Sequence, residues 1–315
     1  MLMLFVLAII SNTATAQQYP EKPIRVISVS GPGSVSSVMV RMVGAKLTAA
    51  WGQPVVSDLR SGAGGIVGTE IAAHAAPDGY TLVIVVTSHA INASLKRKTP
   101  YDPVKDFAPV TLLGSTPLVL VVHPSFTANS VRDLIVLAKA KPGQYDYASA
   151  GIGSGLHLAG ELFKAMAGIN LSHVAYKGAT PAEIDLVSGR VQIMFDNIVN
   201  GLPHVKAGRL KALAVTGSKR SPLVPELPTI DEAALPGYEY TGWFGALAPA
   251  GTPRAIILKL STEIAKIMNM RDIKDPLSAL GFDPLTSTPE NFGRYLDAQI
   301  AKWAKVIVDS GAQIE

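Results

Sequence analysis

Cysteine is absent from all 315 residues, which excludes disulfides, thiolate nucleophiles and cysteine-ligated metal sites. A chain of this length needs no crosslinks, because it buries most of the surface that its unfolded form exposes. Charge is also scarce, at 17% against 48% hydrophobic residues, a balance that excludes intrinsic disorder. Lys and Arg exceed Asp and Glu by only four, lie scattered, and are preceded by no charged residue before Glu21. A nucleic-acid-binding face is therefore not expected. The six histidines, His74, His89, His123, His157, His173 and His204, show no H-E-x-x-H or comparable spacing, so neither a metal nor a cofactor is expected. After Ile10, no apolar stretch approaches the roughly 20 residues that span a bilayer.

What is present begins with an apolar run, Met1 to Ile10, that closes on Ala14-Thr15-Ala16. Residues 1–16 read as a secretory signal cleaved before Gln17, which assigns the mature chain to the periplasm. The run is about half a membrane span, and no cysteine offers a lipidation site. No Lys or Arg precedes it, which points to a basic segment lost upstream of a start placed too late.

Short β-branched runs alternate with helix-like segments, the pattern of parallel sheets covered by helices. Strands are expected at 24–29, 55–57, 81–86, 118–122, 145–148, 191–195 and 210–215. Ser130 with Asp133, and Thr180-Pro181 with Glu183, carry the chemistry of helix starts. Thr252-Pro253 and Thr288-Pro289 open two more helices, ending near Met270 and Ser310.

Three strand-to-helix loops are built from small residues: Ser30 to Ser37, Thr87 to Asn92, and Ser149 to His157. Each reads either as an ordinary turn with a Ser cap or as an anion-binding helix start, and three in one chain favour a binding cleft. Neither Gly31-Pro32-Gly33 nor Gly151-Ile152-Gly153-Ser154-Gly155 completes a dinucleotide fingerprint, since Ser36 and Leu156 occupy the third glycine's place. Ser154, His157 and Asp196 or Asp185 supply the residue types of a hydrolytic triad. Their spacing opposes it, for Ser154 and His157 share one helix turn and no G-x-S-x-G elbow exists. Tyr176, Phe195 and Trp243-Phe244 stand where strands end and face either a cleft or the core. Asp196 either caps a turn or meets a ligand donor.

A set of ordered blocks completes the reading: Tyr19-Pro20-Glu21-Lys22-Pro23-Ile24-Arg25, Gly62-Ala63-Gly64-Gly65, Ala76-Pro77-Asp78-Gly79-Tyr80-Thr81-Leu82, Tyr101 to Val110, His157-Leu158-Ala159-Gly160-Glu161, Tyr176-Lys177-Gly178, Phe195-Asp196-Asn197 and Leu247 to Pro253. On these blocks the chain resembles the Bug-type extracytoplasmic solute receptors of tripartite tricarboxylate transporters, over nearly all of Tyr19 to Glu315. The resemblance implies an α/β, two-lobe fold similar to type II periplasmic binding proteins, with a small carboxylate held between the lobes by the first and third loops. Ser37 stands where that family has an acid, Ser30 where it has a large apolar residue, and Ala175 where it commonly has proline.

Residues 19–123 with 240–315 are expected to form the first lobe and 124–239 the second, joined by hinge crossings at Leu118 to Val122 and Trp243 to Ala248. The expected ligand-binding residues are Ser30, Gly33, Ser34, Ser36, Ser88, His89, Ser149, Gly153, Ser154, His157, Tyr176 and Asp196, with no catalytic residue. The expected function is reversible capture of a mono-, di- or tricarboxylate, aromatic acids included, by a monomer that hands it to the transporter's permease subunits. The alternatives are a periplasmic hydrolase using Ser154, His157 and Asp196, and a ligand-sensing partner of a sensor kinase.

Overall fold

The first strand, Ile24–Ser28, buries four of its five residues, as a strand covered on both faces must. In the computed structural model, which describes residues 19–32, 34–94 and 99–310, it opens an alternating chain of strands and helices. In order these are β1 (Ile24–Ser28), α1 (Val35–Trp51), β2 (Val55–Leu59), a 3₁₀ turn (Ala63–Gly65), α2 (Ile66–Ala73), β3 (Thr81–Val86), α3 (Ser88–Ser94) and β4 (Phe107–Val122). The middle of the chain gives α4 (Val131–Ala140), β5 (Asp146–Ser149), α5 (Gly155–Ala167), β6 (Ser172–Ala175), α6 (Ala179–Val187), β7 (Ile193–Asn197), α7 (Ile198–Lys206) and β8 (Lys211–Val215). Then follow α8 (Ile230–Ala233), β9 (Thr241–Pro249), α9 (Arg254–Met268), α10 (Arg271–Ala279), β10 (Asp283–Pro284) and α11 (Pro289–Ser310). The proposed signal segment, residues 1–16, lies outside the described residues.

The strands join in the order β2-β1-β3-β9-β4-β7-β5-β6, with β8 and β10 also pairing β4. Parallel pairs β1·β2 and β1·β3 lie at one end and β5·β6 and β5·β7 at the other. The long strand β4 serves both ends. Phe107 to Pro117 pairs antiparallel with β9, whereas Leu118 to Val122 pairs with β7 and β8. The change of partner falls at Pro117, opposite Thr241, and proline supplies no ladder N–H at that join.

Two apolar clusters hold this arrangement. One packs Met39, Val43 and Leu47 of α1 with Ile257, Leu260 and Ile264 of α9 around the first sheet. The other runs from Val83 and Val85 past Trp243 to Phe163 and Phe195, and includes Phe292 and Trp303 of α11. That helix sits close on β9, for a Cβ on Gly245 would stand 2.0 Å from Phe292 Cζ. Phe195 is core, wholly buried with its ring 5.5 Å from that of Phe163.

The expected strands all appear, but β4 begins at Phe107 rather than near Leu118, and β6 adds a strand that the sequence did not announce. Pro109, beside a register shift, and Pro117 mask the first half of β4, and the partly exposed Ser172-His173 conceals β6. Ser130 caps α4 as expected, its Oγ accepting the Asp133 N–H at 3.1 Å. Thr180-Pro181 does not open α6, which corrects the expected start. The N-cap is Gly178 at φ +116°, and Pro181 sits in the first turn, where an N–H is not needed.

Candidate ligand-binding cleft

The ends of β1 and β3 on one side and of β5 and β7 on the other border a cleft of about 940 Å³. Open α/β sheets place ligands at such carboxyl ends of strands. Two helices of different sheets enter this cleft with the same local chemistry. At α1, Ser34 N donates to Gly31 O at 3.3 Å, and Ser34 Oγ accepts the Ser37 N–H at 3.2 Å. At α5, Ser154 N donates to Gly151 O at 3.1 Å, and Ser154 Oγ accepts the His157 N–H at 3.2 Å. The two caps share backbone angles, φ −66° and ψ 156° at Ser34 against φ −70° and ψ 158° at Ser154.

This Gly-x-x-Ser turn uses the N-cap and third amides of each helix and leaves the first and second, those of Val35 and Ser36 and of Gly155 and Leu156. Such amides have no intrahelical acceptor and carry the positive end of the helix dipole. The serine hydroxyls act as caps. Ser34 Oγ also donates to Gly31 O at 2.8 Å.

A third contribution comes from the turn Gly62 to Gly65, whose residues all have positive φ, Ala63 included at +47°. Gly64 O accepts from Ser88 Oγ at 2.7 Å and Asn92 Nδ2 at 3.2 Å, which ties this turn to α3. Immediately before β9 stands Tyr240, 2% exposed. Its hydroxyl bonds to Thr87 and occupies the space over Gly155, where a Cβ would lie 2.1 Å from the oxygen. Burial holds that phenol well above its usual range. Among the described residues, every side chain lining the cleft is uncharged, and Val35, Val38, Leu118, Ile198, Phe244 and Leu280 make its apolar wall.

Of the residues expected at the site, Ser30, Ser34, Ser88, Gly153 and Ser154 line the cleft. Gly33 lies outside the described residues. The others sit behind the walls. Ser36 is buried, with Oγ 3.0 Å from Ser28 Oγ. His89 is buried against Pro103 O at 2.8 Å, and burial pushes its imidazole down to about 4. Tyr176 turns away, its hydroxyl donating to Asp185 at 2.9 Å.

Asp196 is fully buried within β7, not past its end. Its Oδ1 accepts the Asn197 N–H at 2.7 Å, and Oδ2 has no hydrogen-bond partner. Burial, with Glu183 adding repulsion, pushes this carboxyl up to about 8. Glu183 in turn accepts from Asn200 Nδ2 at 2.9 Å, so the two acids hold Asn197 and Asn200, which do line the cleft.

The His157 ring is engaged by Gly153 and Glu161, and the residue meets the Ser154 hydroxyl through its backbone N–H. Its Nδ1 accepts the Gly153 N–H at 3.2 Å, and its Nε2 lies 3.9 Å from Glu161 Oε1. Ser149 Oγ accepts the Gly151 N–H at 3.1 Å and lies 2.7 Å from His173 Nε2. With the imidazole engaged by a backbone amide and Asp196 buried in β7, the three residue types of a triad are not assembled as nucleophile, base and orienting acid.

Thr87, Asn92, Asn197, Asn200 and Tyr240 also line the cleft but were not singled out in the sequence. A signal existed for three of them, since Thr87 opens and Asn92 ends the second small-residue loop and Asn197 closes the block Phe195-Asp196-Asn197. Tyr240 carries no local signal, because its place depends on the crossing between sheets.

Residues 39–312 match the family described as "Tripartite tricarboxylate transporter family receptor". The chain belongs to this family. It is 36% identical to protein BugT of Bordetella pertussis over 308 residues, covering 97% of this chain and 94% of BugT. Its fold superposes on R. palustris Rpa4515 with adipate at a TM-score of 0.83, with 36% identity and coverage of 93% of this chain and 98% of that one. MatC of Rhodopseudomonas palustris with bound malate gives a TM-score of 0.78 and 30% identity, covering 92% of this chain and 100% of MatC. The architecture is thus that of a two-lobe solute receptor. Among the described residues, no helix is long and apolar enough to cross a membrane.

Proposed function

We propose that this receptor binds a small carboxylate between its two lobes and delivers it to the membrane subunits of a tripartite tricarboxylate transporter. The carrying observation is the pair of identically capped helix starts, one from each sheet, that open into a single uncharged cleft. Of the four N–H groups without helical partners, those of Val35, Gly155 and Leu156, whose residues line the cleft, offer a carboxylate its hydrogen bonds, and two dipoles favour its charge without a cation. The apolar wall suits a ligand whose carboxylates, one or two in number, are joined to a hydrocarbon or aromatic body. Each further buried carboxylate would need another full set of donors. The ligands seen in the two R. palustris structures, adipate and malate, are of this class.

In place of the expected lobes, 19–123 with 240–315 and 124–239, we take residues 19–117 with 241–310, and 118–240, dividing where β4 changes partners. Two crossings side by side permit closure without unfolding either lobe. The protein acts as a monomer in the periplasm after cleavage near Ala16, and makes or breaks no bond in its ligand.

A thermal-shift screen over mono-, di- and tricarboxylates, aromatic acids and amino acids tests the reading. A ligand at 100-fold its Kd stabilises the native state by about 2.7 kcal/mol. A shift with at least one mono- or dicarboxylate is expected. No shift with any carboxylate, or ester or amide turnover abolished by Ser154→Ala, would overturn it.

A further inference from the structure

We propose that His157 and His173 are positioning residues of the cleft: as neutral imidazoles they fix the Gly151 to Ser154 loop, and protonation of His157 releases it. Two amides anchor this loop, one directly on an imidazole and the other on a hydroxyl that lies against the second imidazole. Gly153 N donates directly to His157 Nδ1 at 3.2 Å. Gly151 N donates to Ser149 Oγ, which is itself 2.7 Å from His173 Nε2. The rings stack with centroids 4.2 Å apart, and Tyr147 stacks on His173 at 4.8 Å. Ile152, Gly153 and Ser154 line the cleft, so the two imidazoles lie directly behind the surface that presents α5 to a ligand.

The bond at Gly153 fixes the tautomer. A nitrogen that accepts an N–H carries no proton, so the single proton of neutral His157 is on Nε2, facing Glu161. A second proton would set an N–H against the Gly153 N–H and break the anchor. Gly153 holds φ +76°, a conformation it keeps only while its surroundings hold it.

The groups facing the two rings are Tyr147 on β5, and Glu161 and Lys164 on the same helix as His157. Glu161 accepts from the Tyr147 hydroxyl and from Lys164 Nζ at 2.7 Å, and its carboxylate favours a positive charge on either ring, though less than burial opposes one. Lys164 opposes a further positive charge on either ring. Burial holds both imidazoles below their usual range, and pushes His173, with its neighbour His157 also opposing charge, down to about 4. The loop is therefore set at neutral pH and loses its anchor on acidification. The step from loop to ligand rests on the carboxylate reading above; the loop measurement does not.

The test uses the full ¹⁵N-labelled chain without ligand. His157 is expected as the Nε2–H tautomer at pH 7, and the Gly153 amide resonance should move with the same midpoint as His157 when the pH is lowered toward 4. His157→Leu removes the acceptor and should raise Gly153 amide exchange by about tenfold. His157→Asn offers Oδ1 in the place of Nδ1, and should hold exchange within about threefold while abolishing the acid transition. Should His157→Leu fail to fold, the wild-type titration and His157→Asn still decide. A loop that titrates as expected in a protein that binds no carboxylate supports this assignment and contradicts the functional reading. An Nδ1–H tautomer, or a Gly153 amide unmoved while His157 titrates, overturns the proposal.

Discussion

Gly155 and Tyr240 offer a sharp test of how the cleft is built, because one carries a proposed ligand-binding amide and the other fills the space beside it. A Cβ on Gly155 would lie 2.1 Å from the Tyr240 hydroxyl oxygen, well inside the roughly 3.5 Å of an ordinary non-bonded contact. Tyr240 has little room to retreat. It is buried, bonded to Thr87, and its ring lies 5.6 Å from that of Trp303. Gly155→Ala should therefore cost about 1–3 kcal/mol, the usual range for overpacking.

Tyr240→Phe removes the oxygen and leaves Cζ as the nearest atom, 3.2 Å from the added Cβ. That change alone costs about 1 kcal/mol for the lost hydrogen bond, since Thr87 Oγ1 keeps the Trp243 N–H at 2.9 Å. The double variant should then be more stable than Gly155→Ala by about 1 kcal/mol, although it has lost a hydrogen bond. Urea unfolding of the three variants closes the cycle, and carboxylate titration should show affinity lost in Gly155→Ala and largely regained in the double variant. Stabilities that add within about 0.5 kcal/mol would refute the contact.

Three further outcomes follow from particular residues. Gly153→Val places a β-branched side chain at φ +76°, so it should cost about 1–2 kcal/mol of stability in thermal unfolding while calorimetry finds carboxylate binding lost. Asp196 has a folded pKa raised to about 8, so the native state holds a proton that the unfolded chain releases near pH 4, and stability declines as pH rises between those values. Asp196→Asn should remove that decline in urea unfolding and exceed wild type at pH 8 by at least the roughly 1.4 kcal/mol of one pKa unit. His89 is held neutral down to about 4, so the unfolded state binds more protons below pH 6.5 and the protein loses stability toward acid. His89→Gln, whose amide can still donate to Pro103 O, should flatten part of that slope in melts recorded from pH 4 to 7.

Features encoded within a few residues were legible before the fold was known. Ser130 with Asp133 announced a capped helix, and the small-residue loops Ser30 to Ser37 and Ser149 to His157 announced helix starts fit for an anion. Features made by long-range packing were not. The prolines at 109 and 117 hid the strand that joins the two sheets, and only that joint brings Tyr240 over Gly155. His157 and Asp196 looked like ligand contacts because polar residues in small-residue loops usually face solvent or ligand. Burial decided otherwise: the imidazole took a backbone amide, and the carboxyl lay within the strand behind Asn197. Gly62 to Gly65 belonged to the resemblance, yet its place on the cleft wall depends on its bonds to Ser88 and Asn92.

The central claim is that one carboxylate is gripped from both lobes by the free amides of two helix starts. Amide chemical-shift mapping during titration with the carboxylate that gives the largest thermal shift tests it most directly. The account predicts that the resonances of Val35 in α1 and of Gly155 and Leu156 in α5 move together along one saturation curve. Saturable binding that leaves either helix start unmoved would contradict it.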